Sequence, residues 1–317
     1  MFTLRDSWVW DFWLADDGST HHLFFLYASR ALHDPERRHH RASIGHAVST
    51  DLVNWQRIED ALVRADVPAW DDLATWTGSV VRGGDGTWHL FYTGATLAGT
   101  SNVQRIGRAT SHDLITWDRA GRDPLLEADS RWYEKLEGGQ WHDEAFRDPW
   151  VFRDPHGDGW HMLITARSTH GDAFDRGVIG HGWSPDLATW ELREPLTAPG
   201  GGFGHLEVIQ VEEVCGTHVL VFSCMAEHMA QWRREGTSGG IWVAAAEGPL
   251  GPFDIRGAHL LADSRHYSGK LVRDRDGTWN LLAFIQDGPD GEFVGSVSDP
   301  MPLRWEGGRL TVVPSAL

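Results

Sequence analysis

Apolar positions in this chain fall in short blocks separated by polar turns, and no long window carries the three-and-four spacing of an amphipathic helix. The clearest unit covers residues 76–117. Thr77-Gly78-Ser79-Val80-Val81 reads as a strand and Gly83-Gly84-Asp85-Gly86 as a turn, with a second strand at Trp88-His89-Leu90-Phe91-Tyr92. Ile106-Gly107-Arg108-Ala109-Thr110 reads as a third strand, and Ser111-His112-Asp113-Leu114-Ile115-Thr116-Trp117 as a turn leading into a fourth. The turn-and-strand half recurs at 22–26, 159–163, 218–222 and 277–282. The closing half, Asp-Leu-x-x-Trp, recurs at 49–55 and 184–190, with weaker copies at 248–253 and 298–305. Four-stranded units recurring at roughly 40–50 residues are the mark of a propeller blade, and wider spacing reflects loop insertions. The pattern predicts an all-β fold, a five-bladed β-propeller of four-stranded antiparallel blades around a central funnel. Trp55, Trp117 and Trp190 should occupy equivalent blade positions and plug between blades.

Composition changes this picture little. The 317 residues show no linker, so the expectation is one propeller over 1–317; the 36 glycines and 18 tryptophans suit a turn-dense sheet protein with many aromatic plugs. The net charge of −17 argues against a nucleic-acid partner, which requires a basic footprint to displace counterions. Cys215 and Cys224 form no disulfide framework and read best as two small buried hydrophobes. The start, Met1-Phe2-Thr3-Leu4-Arg5-Asp6, lacks the basic and apolar segments of a secretory signal, and no apolar run is long enough to span a bilayer. A cytoplasmic protein with no membrane partner is the expectation, unless a presequence has been removed.

If each blade begins at the axis, the innermost strands fall at 7–13, 74–81, 146–152, 204–211 and 266–272, and these should carry the chemistry. The first sets Asp11 among Trp8, Trp10 and Trp13. Aspartate is a poor strand residue, and the aromatic surround suggests a walled site suited to stacking a sugar, whereas Asp16 and Asp17 belong to a solvated turn. The second offers Trp76, Thr77 and Ser79 without an acid, and Asp71 and Asp72 before it read as loop residues in solvent. In the third, Arg147-Asp148 interrupts an apolar run. Adjacent strand residues face opposite ways, so both reach the funnel only if the strand is twisted or bulged. An arginine with a carboxylate supplies donors and an acceptor for neighbouring hydroxyls. The fourth isolates Glu207 in an apolar strand, where burial should raise its pKa as a general acid requires; Glu212 and Glu213 read as surface charge. The fifth offers Tyr267 and Lys270 as polar wall groups.

The 18 histidines follow no metal-site spacing and read as surface and supporting groups. No phosphate loop or serine nucleophile elbow is present. Neither metal nor cofactor is expected.

Asp on blade one, Arg-Asp-Pro on blade three and Glu on blade four, in that order, resemble the five-bladed fructosyl enzymes of glycoside hydrolase families 32 and 68 over nearly the whole chain. The resemblance implies a nucleophile at Asp11, a transition-state stabiliser at Asp148 and an acid/base at Glu207. It further implies substrate contacts from Trp10, Trp76, Arg147, Ser79, in the place of the last serine of an S-G-S element, and Tyr267, in the place of a fifth-blade aromatic. Trp10-Asp11-Phe12-Trp13 is nearer the W-D-x-W of family 68 than the W-M-N-D-P-N-G of family 32, and Val208 stands where family 32 has a cysteine. The sequence ends soon after blade five, so the β-sandwich appended to many family 32 enzymes is not expected.

The expected function is a retaining hydrolase or fructosyltransferase acting on β-fructofuranosides such as sucrose or fructo-oligosaccharides, its partner a small carbohydrate. Two alternatives are an inverting arabinanase- or xylosidase-like enzyme of family 43, with the same blade order of acids, and a non-catalytic sugar-binding propeller. Three acids on three separate strands argue against the latter. The oligomeric state is left open.

Overall fold

The repeat folds as an antiparallel sheet in each of its five copies, as seen in a computed structural model that describes residues 1–314. The innermost strands are Ser7–Asp16, Ala74–Arg82, Phe146–Arg153, Glu207–Val214 and His266–Arg273. Each packs against the innermost strand of the next blade, and the first packs against the last, so the ring closes into a five-bladed β-propeller. Phe2 completes the closure by exchanging two backbone hydrogen bonds with Val297 of blade five, at 2.8 and 3.0 Å.

Asp-Leu-x-x-Trp is a turn with its own wiring. Asp51, Asp113 and Asp186 each accept from the backbone N–H groups two and three residues on, at 2.7–2.9 Å. The following leucine is buried and sits at positive φ, 63° at Leu52 and 65° at Leu114 and Leu187. That turn brings the indole back so that Trp55, Trp117 and Trp190 donate to the carbonyls of Leu52, Leu114 and Leu187 at 3.0–3.1 Å. The three tryptophans are equivalent, and two visibly join blades. Trp117 meets Phe24 of blade one edge-on at 5.7 Å, and Trp190 meets Phe91 of blade two at 5.3 Å. Trp305 of blade five serves the interface with blade four by donating to the Val214 carbonyl at 3.2 Å.

Blade five departs from the four-strand rule. Phe293–Val297 and Met301–Glu306 both pair with Trp279–Asp287, because Ser298-Asp299-Pro300 interrupts the third position and proline has no N–H for the ladder. The weaker copy at 298–305 therefore falls across this break rather than on a turn like the other three.

Several polar residues are more deeply placed than the sequence suggests. Asp71 is buried, not solvated, and accepts from the Tyr92 hydroxyl at 3.0 Å and Arg119 Nε at 3.1 Å. Many histidines are interior: His22 pairs with His46 and His161 with His181, each at 2.9 Å between second and third strands. Glu212 is half-buried, hydrogen-bonded to Gln210 Nε2 at 3.0 Å, and burial pushes its pKa up to about 7. Cys224 is buried but Cys215 lies exposed at a turn with φ 53°, and both are free thiols. Among the described residues no helix is long and apolar enough to cross a membrane.

Candidate active site

All five innermost strands slip register at the same level. The irregularities lie between Val9 and Phe12, Trp76 and Gly78, Glu207 and Gln210, and Tyr267 and Lys270, and on blade three opposite Leu163 and Thr165. A β-bulge sets two residues against one and re-aims side chains. Asp148, Val208 and Ser268 take positive φ there, 57°, 54° and 49°. This is how the adjacent Arg147 and Asp148 both come to line the funnel despite the alternation of a regular strand.

The funnel opens into a cavity of about 780 Å³ lined by Asp11, Asp148 and Glu207 together with Trp10, Trp76, Arg147 and Tyr267. Seven of the eight residues that the family resemblance implies thus share one cavity. Ser79 does not. It is 1% exposed, and its hydroxyl accepts from the Val151 N–H at 3.1 Å, tying blade two to blade three. The hydroxyl that reaches the site is that of Thr77, two residues earlier.

Asp11 accepts from Thr77 Oγ1 at 2.7 Å and from the Ser268 hydroxyl. Burial lifts its pKa above the usual carboxylate value, the two hydroxyls offset part of that lift, and the Glu207 charge adds to it. Asp148 is 4% exposed and accepts from Thr165 Oγ1 at 2.9 Å and Val208 N at 3.2 Å. Burial pushes it up to about 7 against the pull of Arg147, whose Nε stands 3.5 Å away.

Glu207 behaves otherwise than its isolation in an apolar strand implies. Burial does favour its neutral form, but the Arg147 guanidinium and the Tyr267 hydroxyl both bond its carboxylate, and their combined pull holds its pKa below the ordinary value. The reason is tertiary: Arg147 lies 60 residues away in sequence. Tyr267 is in turn driven well above its usual pKa by burial and by the Glu207 charge, so it remains a donor.

The remaining walls came from segments with no sequence signal. Arg38 and His39 sit on the short 3-10 segment Pro35–Arg41, inserted between the second and third strands of blade one. Trp76 Nε1 donates to the His39 carbonyl at 2.8 Å, and Arg38 stacks 4.4 Å from the Phe293 ring and 5.6 Å from Trp10. Gln104 accepts from the Phe146 N–H and from Arg147 Nη1, both at 3.2 Å, fixing the arginine from blade two. Trp141 comes from the loop before blade three and meets His205 edge-on at 4.6 Å. Such polar or aromatic residues, on loops or on a third strand, are legible as functional only once the funnel is known.

The arrangement offers two half-buried carboxyls, Asp11 and Glu207, on strands of different blades, a third, buried carboxyl, Asp148, on another blade, and an arginine that pairs with both Glu207 and Asp148. That set can attack, protonate and bind vicinal hydroxyls without a metal ligand cluster among the described residues.

The family model for the glycosyl hydrolases family 32 N-terminal domain matches residues 14–284. A raffinose invertase of Escherichia coli is 28% identical over 304 residues, covering 87% of this chain and 58% of that protein. A fructan 1-exohydrolase of Hordeum vulgare is 36% identical over 125 residues, covering 38% of this chain and 19% of the relative. The chain therefore matches well under two thirds of the length of these relatives. Among solved structures, an inulosucrase from Halalkalicoccus jeotgali bound to kestose superposes with a TM-score of 0.79 at 23% identity, covering 98% of this chain and 87% of that one, a likeness of fold.

Proposed function

The chain belongs to glycosyl hydrolase family 32, and on that premise we propose that it is a retaining hydrolase or fructosyltransferase acting on β-fructofuranosides through a covalent fructosyl-enzyme. The observation that carries the reading is the convergence of Asp11, Asp148 and Glu207, delivered by bulges on three separate innermost strands into one cavity.

In the first step the Asp11 carboxylate attacks the anomeric carbon while Glu207 gives its proton to the glycosidic oxygen, so the C–O bond breaks as the ester bond forms. In the second, the Glu207 carboxylate takes a proton from water or a sugar hydroxyl, whose oxygen attacks the same carbon and returns Asp11 to its ionised state. Asp148 and Arg147 hold vicinal hydroxyls, and Trp10 and Trp76 form the aromatic walls.

The electrostatics add a condition. Asp11 is raised and Glu207 lowered, each against the direction the first step uses. Asp11 and Glu207 are coupled, so the two carboxyls titrate as a pair, and the first step needs Asp11 ionised and Glu207 protonated. A sugar hydroxyl that draws Arg147 or Tyr267 away from Glu207 removes the interactions holding its pKa down, so substrate binding itself favours the acid form. In the second step Arg147 and Tyr267 returning to Glu207 favour the ionised base.

Incubation with sucrose, inulin-type oligosaccharides, levan and aryl arabinofuranosides tests the reading. Release or transfer of fructose from one of the first three supports it; release of arabinose alone would overturn it.

A further inference from the structure

Lys270 looks in sequence like a wall group of blade five, yet its side chain is 3% exposed and does not line the cavity. Its ammonium crosses to blade four and meets carbonyls: Nζ donates to Val208 O at 3.2 Å and to Ile209 O at 3.4 Å, and stands 5.0 Å from the centre of the Trp150 ring. Those carbonyls belong to the bulge that directly follows Glu207.

That bulge needs holding. Val208 sits at φ 54°, a left-handed conformation that β-branched residues rarely adopt and that persists only where the surroundings over-determine it. Two bonds pin it from opposite sides: its N–H donates to Asp148 Oδ2 at 3.2 Å, and its carbonyl accepts from Lys270. A buried ammonium so placed, across Val208 from the Asp148 carboxyl, also faces the acids of the site. Burial draws the Lys270 pKa down to about 8 while Asp148, Asp11 and Glu212 pull it upward, so the group carries its charge at neutral pH. The other charges facing these carboxyls are Arg147, Asp11 and Glu207 at Asp148, and Glu207 and Arg38 at Asp11.

We propose that Lys270 is a positioning residue, whose ammonium locks the bulge that aims Glu207 and, across Val208 from the Asp148 carboxyl, supplies a buried positive charge to the acids of the site. The catalytic half of this statement rests on the function proposed above; the electrostatic half does not. Because no atom of Lys270 reaches the cavity, its effect should appear in turnover and pH dependence rather than in substrate affinity.

The test uses Lys270→Met, which keeps length but has neither donor nor charge, and Lys270→Gln, which keeps a donor. Carboxyl 13C NMR titration of the substrate-free proteins is run beside pH profiles of kcat/KM, with rates normalised to the folded fraction. For Lys270→Met the expected results are a kcat lower by about 10²-fold with KM little changed, and an upward move of both aspartate titrations, Asp148 by about one unit. Lys270→Gln should recover part of kcat and none of the titration shift. Titrations and kcat of Lys270→Met that superpose on wild type would overturn the proposal, as would a loss of activity that merely tracks unfolding with the titrations unmoved. If wild type turned over no fructoside, the functional reading would fail while the titrations still decided the role of Lys270.

Discussion

Thr77→Val isolates one hydroxyl at the nucleophile. Thr77 Oγ1 donates to Asp11 Oδ2 at 2.7 Å, and the side chain is 1% exposed, so valine fills the same space without the donor. A hydrogen bond to a charged group contributes about 1.5–3 kcal/mol, and one pKa unit corresponds to about 1.4 kcal/mol. The bond favours the ionised form, so losing it should raise the Asp11 pKa by about 1–2 units. Since attack requires the carboxylate, the acidic limb of kcat/KM should move to higher pH by the same amount. At a pH below the wild-type limb the variant should be slower by about 10- to 100-fold, while above both limbs the two rates converge. Thr77→Ser restores the donor and should restore the limb. The assay is sucrose or oligofructoside turnover from pH 4 to 9. A Thr77→Val limb coincident with wild type, with a lower plateau, would refute the reasoning by showing that the hydroxyl acts on geometry and not on ionisation.

Glu207→Ala should lower turnover by about 10²–10⁴-fold, and substrates with good leaving groups should be partly spared because they need less protonation; equal loss on good and poor leaving groups would remove the acid role. Asp148→Asn should abolish activity yet stabilise the fold at neutral pH: with a folded pKa of about 7 against an unfolded value near 4, native Asp148 holds a proton that the unfolded chain has lost, so its contribution to stability falls as pH rises between those values. The Tm gain of Asp148→Asn should therefore grow from pH 5 to pH 8, and a constant difference would contradict the assigned burial effect. Trp117→Ala removes a plug between blades one and two and should cost about 3–5 kcal/mol in urea unfolding; a loss under 1 kcal/mol would argue against that plug's structural role.

What could be read in the sequence follows from where its signal lies. Turn chemistry is local, so Asp51, Asp113 and Asp186 with their paired Leu and Trp exposed the blade repeat, and each functional carboxyl stood out as a charge inside an apolar strand. The bulges were illegible, because nothing in Asp148 or Val208 as residue types announces positive φ. That is why Ser79 looked like the site hydroxyl when the slip between Trp76 and Gly78 gives the role to Thr77. Pairings between blades were equally hidden. Arg147 and Tyr267 of neighbouring blades hold the Glu207 pKa down, and Lys270 serves the bulge of blade four; both depend on residues brought together only by ring closure.

The most direct test of the account is the stereochemistry of the first-formed product. Proton NMR recorded within seconds of mixing the enzyme with a β-fructofuranoside reads the anomer before mutarotation erases it. A double displacement through Asp11 predicts that β-fructofuranose, or a β-linked transfer product, appears first. An α-configured first product would mean a single displacement by water, and would remove Asp11 as nucleophile even with every side chain where the structure places it.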